Sequence, residues 1–465
     1  MTEPVSPKDQ IAALVSRARA AQQMIEGYTQ EQVDTLAAAI VYTLSRRDVA
    51  MELAHMALDE TNMGELISKY NKLAVKMPAV FHDIKDHKTV GVIETDPAMG
   101  ITVIAKPIGV IGALIPSTNP EATPVFKGVL GIRARNAVIC APHPASKKTT
   151  MAVVDKMRAV LKKFGAPEDL IICIETPSKN MAAELMAQCD LTMATGSGDM
   201  VKAAYSSGKP AYGVGVGNAS IIVDETVDLA EAAEKIRIGK TGDYASGCSA
   251  ENALIVQKDI YANLMQELQK QGAYIATPEE KDRLQAVMWE DGHISRKIVA
   301  KPVGVIAELA GITLPEGAQF IIVEETGIGK DFPFSGEKLS LVLTVYSYGE
   351  FQEAVDKVNA ITAYSGSGHS CGIHSNNKDR ILHLALSTKT SRVTVRQAHG
   401  VSNSGFWHNG LAMTFSLGCG TWGGNIVSEN VTQKHYYNTT RIAEPIDRKP
   451  KTDEEIFGKW MAVIS

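Results

Sequence analysis

The feature that most constrains the fold is a regular alternation of short apolar runs and helical patterns between residues 110 and 195. The apolar runs with the length of buried strands are Val110–Ile115, Ala137–Cys140, Leu170–Ile174 and Leu191–Ala194. Apolar residues recur at helical spacing between these runs, as in Thr150–Lys163 and Asn180–Gln188. Because parallel strands are joined by crossover helices, this alternation predicts an α/β fold built on a mostly parallel sheet with both faces covered.

The segments on either side of this region have different patterns. Residues 8–85 have the apolar spacing of helices. Two strand-like runs, Thr89–Ile93 and Ile101–Ala105, enclose a turn and predict a β-hairpin over about 88–106. A second strand-and-helix stretch begins near Ser220 and ends in a glycine-rich region at 418–424. A chain of 465 residues has room for two or three such domains.

The composition excludes several classes of protein. A formal charge of −5 gives no basic surface for nucleic acid. The six cysteines have neither CxxC nor zinc-type spacing, which favours reduced thiols over disulfides and predicts no metal site. The chain has no run of eighteen apolar residues and no signal-type N-terminus, so we expect a cytoplasmic protein without a membrane partner.

Cys248 is the first candidate for chemistry. It lies in Tyr244–Asn252, a glycine-containing turn that leads directly into the strand-like Ala253–Val256. A thiol on such a turn suits a nucleophile, because small neighbours let a carbonyl approach and backbone amides can hold the oxyanion that forms. The alternative is a buried small hydrophobe, which is how most free cysteines behave.

Two polar turns are further candidates. Asn119, in Pro116–Pro120, follows a strand, so its amide can donate to an oxyanion; the alternative is a cap on the following helix. Thr195–Gly198 is a glycine turn between a strand and a helix, where amides can cradle a pyrophosphate. It is not a GxGxxG motif, so this signal is weak on its own.

Taken together, these segments resemble the CoA-acylating aldehyde dehydrogenases of the aldehyde dehydrogenase superfamily. The matching segments, in order, are Gly109–Gly112, Pro116–Pro120, Ala141–Pro144, Thr195–Gly198, the Cys248 turn, Glu337–Ser340, Gly368–His374 and Leu417–Gly424. Lys85–Gly91 and Val201–Gly213 are most similar to the succinate-semialdehyde and sulfoacetaldehyde branch. The resemblance covers essentially the whole chain.

The resemblance implies a domain plan and an assembly. Residues 1–220 would form a Rossmann-type NAD(P)-binding domain that carries the oligomerisation hairpin at about 88–106. Residues 221–424 would form the α/β domain with the catalytic thiol, and 425–465 a C-terminal return and oligomerisation tail. We therefore expect a homo-oligomer, either a dimer or a tetramer.

The resemblance also assigns roles to individual residues. Cys248 would carry the acyl group, and Asn119 with the Cys248 backbone N–H would hold the oxyanion. His369 would be the acid–base partner, with a hydrogen-bonded structural histidine as the alternative. Glu337 would hold the nicotinamide ribose, with an exposed loop charge as the alternative. The remaining cofactor contacts would be Thr118, Pro142, His143, Pro144, Thr195, Gly196, Ser197, Gly198 and Gly215.

An absence favours CoA as the acyl acceptor. Hydrolytic members of the superfamily place a glutamate in the glycine-rich strand before the nucleophile, whereas Met200–Val223 contains neither Asp nor Glu. Without that base water is a poor nucleophile, while a thiol with a pKa of about 8.5 needs less help. The expected co-substrates are CoA and NAD(P)+; Lys147 and Lys148 would tolerate the 2′-phosphate of NADP+, but the sequence leaves NAD and NADP open.

Two departures from the family pattern bear on the substrate. Leu341 replaces a proline, which should alter local rigidity more than chemistry. Arg396 replaces an asparagine and precedes the loop 400–409, where Trp407 and His408 are expected to line the aldehyde pocket. Arg396 can either bind an anionic head group or form an ordinary ion pair. The first reading favours sulfoacetaldehyde; succinate semialdehyde and uncharged acetaldehyde or propionaldehyde are the alternatives.

Overall fold

The computed structural model describes residues 5–464. The α-helices, in chain order, are α1 Pro7–Met24, α2 Gln30–Ser45, α3 Arg47–Thr61, α4 Leu66–Asn71, α5 Met77–Ile84, α6 Thr123–Arg133, α7 Lys147–Lys163, α8 Lys179–Gln188, α9 Gly198–Tyr205, α10 Leu229–Thr241, α11 Tyr261–Lys270, α12 Pro278–Met288, α13 Val303–Ala310, α14 Phe351–Tyr364, α15 Lys378–Ser387, α16 His399–Ser402, α17 Asp453–Phe457 and α18 Met461–Ile464. A π-helical turn, Lys72–Lys76, joins α4 to α5. None of the helices in the described part of the chain is long and apolar enough to span a bilayer.

The strands, in chain order, are β1 Gly91–Asp96, β2 Ile101–Pro107, β3 Val110–Ile115, β4 Ala137–Pro142, β5 Ile171–Cys173, β6 Leu191–Thr195, β7 Ala211–Val214, β8 Ala219–Val223, β9 Glu251–Gln257, β10 Ala273–Ile275, β11 Trp289–Glu290, β12 His293–Ile294, β13 Phe320–Glu324, β14 Val342–Tyr348, β15 Cys371–His374, β16 Val393–Val395 and β17 Tyr437–Ala443. They form two parallel sheets, one three-stranded antiparallel sheet and the small pair β11–β12.

The first parallel sheet has the order β5-β4-β3-β6-β7. Every residue of β3 and β4 is buried. Helices α1 and α8 pack together on one face, and α2, α6 and α7 pack together on the other. Burial on both faces explains why these strands are continuous apolar runs, and the predicted α/β fold with a parallel sheet is confirmed.

The second parallel sheet has the order β10-β13-β14-β9-β8-β15-β16. The central strand β9 sends Leu254 and Val256 into one core and Ala253 and Ile255 into the other, as the two-residue period of a strand requires. Because all seven strands are parallel, the segments that precede them meet at one edge of the sheet. That amino edge is where the candidate site lies.

The antiparallel sheet joins distant parts of the chain. The hairpin of β1 and β2 lies within the predicted range, and β17 adds to the free side of β2, from Tyr437 opposite Pro107 to Ala443 opposite Ile101. All but one residue of β17 is exposed. The expected role of this sheet in joining two copies of the chain stays a prediction.

The predicted domain limits also stay a prediction. The boundary at 220 falls inside β8, just after the first sheet has ended at Val214. Within the predicted tail, Val427, Val431 and Tyr436 are buried in the core around the first sheet. Residues 1–4 of the predicted first domain and Ser465 of the predicted tail lie outside the described residues.

Candidate active site

Cys248 follows a turn with an unusual backbone. After α10 ends, Asp243, Tyr244 and Ala245 have φ angles of 49°, 51° and 57°, which is left-handed backbone without a glycine. Left-handed backbone costs about 1–2 kcal/mol for each such residue. The turn is therefore held by other contacts rather than by its own preference.

Asp243 supplies those contacts. Its carboxylate accepts hydrogen bonds from the backbone N–H of Glu65 (2.7 Å), from Lys72 Nζ (2.6 Å) and from Ser246 Oγ (2.6 Å). Burial alone would raise the pKa of Asp243, but Lys72, Lys69 and the Ser246 hydrogen bond lower it below its ordinary value. Asp243 is therefore a buried anion that fastens the nucleophile turn to α4 and the π-helical turn.

The sulfur of Cys248 lies beside His369. Cys248 Sγ is 3.2 Å from His369 Nε2, and Cys248 is half-buried while His369 is fully buried. The two side chains come from the segments that precede β9 and β15. A Cβ on Gly217 would lie 2.0 Å from the Cys248 carbonyl oxygen, so only glycine lets the segment before β8 approach this closely.

A small cleft opens beside this pair. Its lining residues are Gly217, Lys240, Ala245, Gly247, Cys248, Ala250, Asn252, Glu337 and Leu339. Glu337 Oε1 accepts a hydrogen bond from Gly217 N at 3.0 Å, and burial raises the pKa of Glu337 to about 8. Glu337 is therefore not an exposed loop charge but a half-buried carboxyl group that lines the same cleft as Cys248.

Burial favours the uncharged forms of both Cys248 and His369. Burial, with a contribution from Glu337, raises the pKa of Cys248 to about 12, while Arg392 and a hydrogen bond from Ser249 act in the opposite direction. Burial and the nearby Arg392 keep the pKa of His369 well below its ordinary value. At neutral pH the site therefore holds a thiol beside an uncharged imidazole, and Cys248 could act as a nucleophile only with help to form the thiolate.

Asn119 lies on the loop after β3. Its side chain does not cap α6, because the N-cap position is Ala122 and no side chain caps that helix. Asn119 is half-buried, and its Oδ1 is buried without a hydrogen-bond partner among the described residues. The helix-cap alternative is therefore wrong, and the amide is free to serve a bound group.

Lys72 joins the Asn119 loop to the Cys248 turn. Its Nζ is 3.5 Å from Glu121 Oε1 and 2.6 Å from Asp243 Oδ2. Lys69, in α4, is buried and donates to the Thr118 carbonyl at 3.3 Å. The two loops that carry the predicted oxyanion donor and the nucleophile are therefore held together by buried charges.

Lys76, at the other end of the π-helical turn, contacts the predicted substrate loop. Its Nζ donates to the carbonyls of Ser404 and Gly405 and lies 5.4 Å from the centre of the Phe406 ring. Trp407 is 58% exposed and packs edge-on against His82, and His408 is exposed. Phe406, rather than either of these predicted pocket residues, is the half-buried ring of this loop.

The predicted cofactor contacts follow strands of the first sheet, at the carboxyl edge that also carries Asn119. Thr118 follows β3, the segment Pro142–Pro144 closes β4, and Thr195–Gly198 joins β6 to α9. Ser197 Oγ accepts a hydrogen bond from Met200 N at 3.4 Å, while Thr195 Oγ1 is buried with no partner in the described chain. Parallel strands bind dinucleotides at this edge, so the arrangement fits NAD(P)+. Gly215 directly follows β7, so it also lies at the carboxyl edge of this sheet, in the segment that leads to β8.

Glu60 is a residue near this edge that the sequence did not indicate. Its carboxylate accepts hydrogen bonds from the backbone N–H groups of Lys148 (2.8 Å) and Thr149 (2.7 Å) in the first turn of α7. A carboxylate from α3 therefore occupies the positive end of this helix. No local pattern could have shown it, because the contact spans 88 residues.

Arg396 is separated from the cluster. It follows β16 and therefore lies at the carboxyl edge of the second sheet, whereas Cys248 precedes β9 at the amino edge. Its exposed guanidinium donates to Asn376 Oδ1 and lies near Glu231 in the first turn of α10. Cys248 comes after the last turn of that helix, which at 13 residues is about 20 Å long. The structure does not support the predicted substrate contact of Arg396, and its partner is an amide rather than a carboxylate.

Comparison with known proteins decides the family. The family model described as "Aldehyde dehydrogenase family" matches residues 2–287. This chain belongs to the aldehyde dehydrogenase family. The sulfoacetaldehyde dehydrogenase of an Acholeplasma species is 45% identical over 456 residues, 97% of this chain and 94% of that protein.

Other relatives place it among the acylating members. The acylating sulfoacetaldehyde dehydrogenase of Bilophila wadsworthia is 44% identical over 95% of this chain and 97% of that protein. The acetylating succinate-semialdehyde dehydrogenase of Clostridium kluyveri is 40% identical over 96% of this chain and 99% of that protein. The predictions of an acylating aldehyde dehydrogenase and of this branch are confirmed.

Solved structures agree. An acetylating aldehyde dehydrogenase from Geobacillus thermoglucosidasius superposes with a TM-score of 0.92 at 36% identity, covering 96% of this chain and 98% of that chain. A propionaldehyde dehydrogenase from Rhodopseudomonas palustris, solved with bound propionyl-CoA, has a TM-score of 0.85 at 25% identity and covers 93% of this chain and 94% of that chain.

Proposed function

We propose that this aldehyde dehydrogenase converts a short aldehyde, CoA and NAD(P)+ into an acyl-CoA, NAD(P)H and a proton, through a thioester on Cys248. The observation that carries the proposal is the 3.2 Å contact between Cys248 Sγ and His369 Nε2 beside the Glu337 cleft. The named acylating relatives and the absence of Asp and Glu from Met200–Val223 support CoA over water as acceptor.

The first step is addition of the thiolate to the aldehyde carbon. A bond forms between Cys248 Sγ and that carbon, and the carbonyl electron pair moves onto oxygen. The oxyanion would be held by the Asn119 amide and the Cys248 backbone N–H, which are the donors that such a charge requires. Lys72 links the two loops and so holds these donors at a fixed position relative to the sulfur.

The hydride that leaves the thiohemiacetal carbon requires an acceptor, which bound NAD(P)+ would supply. Thr195 and Ser197 would hold its pyrophosphate, and Glu337, which lines the cleft, would hold its nicotinamide ribose. The product of this step on the protein is a thioester between the acyl group and Cys248.

CoA then completes the turnover. The CoA thiol loses its proton as its sulfur adds to the thioester carbon, the bond between that carbon and Cys248 Sγ breaks, and the electron pair returns to Sγ, which takes up a proton. The thiol of CoA needs less activation than water, which explains why no carboxylate base is required in the segment before β8.

For the substrate we favour sulfoacetaldehyde, with succinate semialdehyde and uncharged short aldehydes as alternatives. Relatives of this chain are named for the first two substrates. Arg396 is too remote to bind the head group, but Lys76 reaches the substrate loop and has no carboxylate within 4.0 Å among the described residues. Asp83 already acts on the charge of Lys76, and an anionic head group would add a second counter-charge.

The experiment is a matrix of aldehydes and acceptors. NAD(P)H formation is followed with sulfoacetaldehyde, succinate semialdehyde, acetaldehyde and propionaldehyde, with NAD+ or NADP+, each with and without CoA. Strictly CoA-dependent turnover supports the acylating mechanism, and the highest kcat/KM identifies the substrate. Rapid NAD(P)H formation without CoA would contradict the mechanism, and a preference for propionaldehyde would contradict the anionic substrate.

We also propose that the chain forms a homodimer or homotetramer through the sheet β1-β2-β17. The strand β17 has one unpaired edge, and its apolar Ile442 is 47% exposed. Free strand edges invite pairing with another chain. Light scattering at micromolar concentration should give a mass of two or four times 50.0 kDa; a 50.0 kDa species alone would refute the assembly.

A further inference from the structure

We infer that Asn403, oriented by Arg392, is a positioning residue that directs two hydrogen-bond relays toward Cys248 and makes His369 a donor to sulfur rather than a base. The inference rests on the proposed role of Cys248 as the nucleophile. It assigns Asn403 a part in the reaction that neither the sequence motifs nor the family resemblance indicated.

The relay begins at Arg392, which can only donate hydrogen bonds. Its Nε donates to Asn403 Oδ1 at 3.0 Å, and its Nη2 donates to the carbonyls of His369 (2.9 Å) and Gly418 (2.8 Å). Because Arg392 needs an acceptor, the oxygen of the Asn403 amide must face it. The amide nitrogen of Asn403 therefore faces the opposite way, toward the active site.

That nitrogen donates to two serine hydroxyls. Asn403 Nδ2 lies 2.9 Å from Ser370 Oγ and 3.0 Å from Ser249 Oγ. Ser370 follows His369 in the chain, and Ser249 follows Cys248. Each hydroxyl oxygen accepts this hydrogen bond and has one proton of its own to donate to another acceptor.

The first relay sets the tautomer of His369. Ser370 Oγ lies 2.7 Å from His369 Nδ1, which is the remaining acceptor for its proton among the described residues. Nδ1 then accepts, so the single proton of the neutral imidazole is on Nε2, 3.2 Å from Cys248 Sγ. An imidazole in this form donates from Nε2 to the sulfur and stabilises the thiolate, while the thiol proton passes to water.

The second relay is shorter. The Ser249 hydroxyl, which receives from Asn403, belongs to the residue after Cys248 and acts to lower the pKa of the thiol. His369 Nε2, at 3.2 Å, and the Ser249 hydroxyl therefore act on the same sulfur atom. Donors of this kind favour the thiolate over the thiol.

The buried charge of Arg392 is consistent with stabilisation of a thiolate at Cys248. Only 6% of Arg392 is accessible, and the groups that act on its charge are the thiols of Cys419 and Cys248 rather than a carboxylate. Its Nη1 is buried with no hydrogen-bond partner among residues 5–464. A buried cation is costly without a counter-ion, and the Cys248 thiolate would provide one. When CoA displaces the acyl group, the electron pair that returns to Sγ meets both donors and this charge.

The test is the reactivity of Cys248 toward iodoacetamide, followed by mass spectrometry of its peptide across a range of pH. It needs neither aldehyde nor CoA, so it succeeds or fails independently of the proposed substrate. Asn403→Asp has nearly the same shape but can only accept, so both serine hydroxyls would turn away from the active site. We expect alkylation at pH 7.5 to slow by about 10- to 100-fold, with the reaction moving to higher pH.

The matched control is Asn409→Asp, which adds the same charge in the same loop. Asn409 Nδ2 donates to Gln397 Oε1 and the Ser402 carbonyl and has no route to Cys248. A shift for Asn403→Asp no larger than that for Asn409→Asp would overturn the inference. If Asn403→Asp does not fold, Ser370→Ala and Ser249→Ala each interrupt one of the two relays. If both variants show the same pH dependence of alkylation as the wild type, the inference is likewise wrong. In the wild type, ¹⁵N chemical shifts of His369 should show the proton on Nε2, and a proton on Nδ1 would refute it.

Discussion

Replacing Lys72 by methionine tests whether buried charges hold the active-site loops together. The substitution keeps the length of the side chain and removes the cation between Glu121 and Asp243, whose side chains are 0% and 8% exposed. Removing one partner of a buried ion pair costs about 3–5 kcal/mol. Lys72 is itself 21% exposed and Lys69 remains 3.9 Å from Glu121, so we expect a loss of about 2–3 kcal/mol.

The loss should appear in catalysis as well as in stability. The Asn119 loop and the Cys248 turn would lose their common anchor, and a displacement of about 1 Å at a reacting group can cost about 100-fold in rate. We expect kcat to fall by about 10- to 100-fold while the KM for NAD(P)+ changes less, because Lys72 contacts Glu121 and Asp243 and not the cofactor turns after β4 and β6. Urea unfolding and steady-state kinetics measure the two effects.

Lys156→Met is the matched control. Lys156 Nζ lies 2.9 Å from Glu52 Oε2, which is a shorter contact than that of Lys72 with Glu121, but the pair is 29% and 53% exposed. Exposed pairs are worth about 0–1 kcal/mol. If Lys72→Met destabilises the protein no more than Lys156→Met does, and kcat is unchanged, the buried cluster does not position the site.

Three further outcomes are expected. Cys248→Ala should abolish CoA-dependent turnover and the acylated peptide seen by mass spectrometry, with an unchanged circular dichroism spectrum; retained turnover would exclude Cys248 as the acyl carrier. Because burial raises the pKa of Glu337 to about 8, its proton stabilises the folded state fully below the unfolded pKa of about 4.3, and this stabilisation is lost as the pH rises toward 8. The free energy of unfolding of Glu337→Gln, measured in urea, should therefore exceed that of the wild type by more at pH 9 than at pH 5. An equal difference at the two pH values would contradict the raised pKa of Glu337. Lys76→Met should raise the KM for sulfoacetaldehyde by about 10- to 100-fold and that for propionaldehyde little, whereas Arg396→Met should alter neither; equal losses on both aldehydes would show that Lys76 only supports the loop.

The fold was predictable where local pattern and burial coincide. The runs at 110–115 and 137–140 are apolar throughout because both faces of β3 and β4 are covered, so their strands were found within two residues. The hairpin was equally visible from its turn. Short strands such as β10 and β16, with three residues each, leave much weaker signals.

The candidate site, too, was predictable only in part. Cys248 and His369 are 121 residues apart, and only the family resemblance brought them together before the structure did. Lys72, Arg392 and Asn403 have no motif of their own, because each acts through partners that are distant in sequence. Arg396 was misplaced although chain direction alone separates it from Cys248: one residue precedes a parallel strand and the other follows one.

The pairing of β17 with β2 also has a consequence for biosynthesis. Residue 107 is synthesised 330 residues before its partner Tyr437. At about 5–20 residues per second, the outer edge of β2 therefore stays unpaired for roughly 20–60 s before β17 has been made. During that interval a strand containing Ile101 and Val103 presents an open edge on a nascent chain. The last strand to be synthesised is the one that closes this edge, so yield in a cell should depend on how quickly synthesis reaches residue 443.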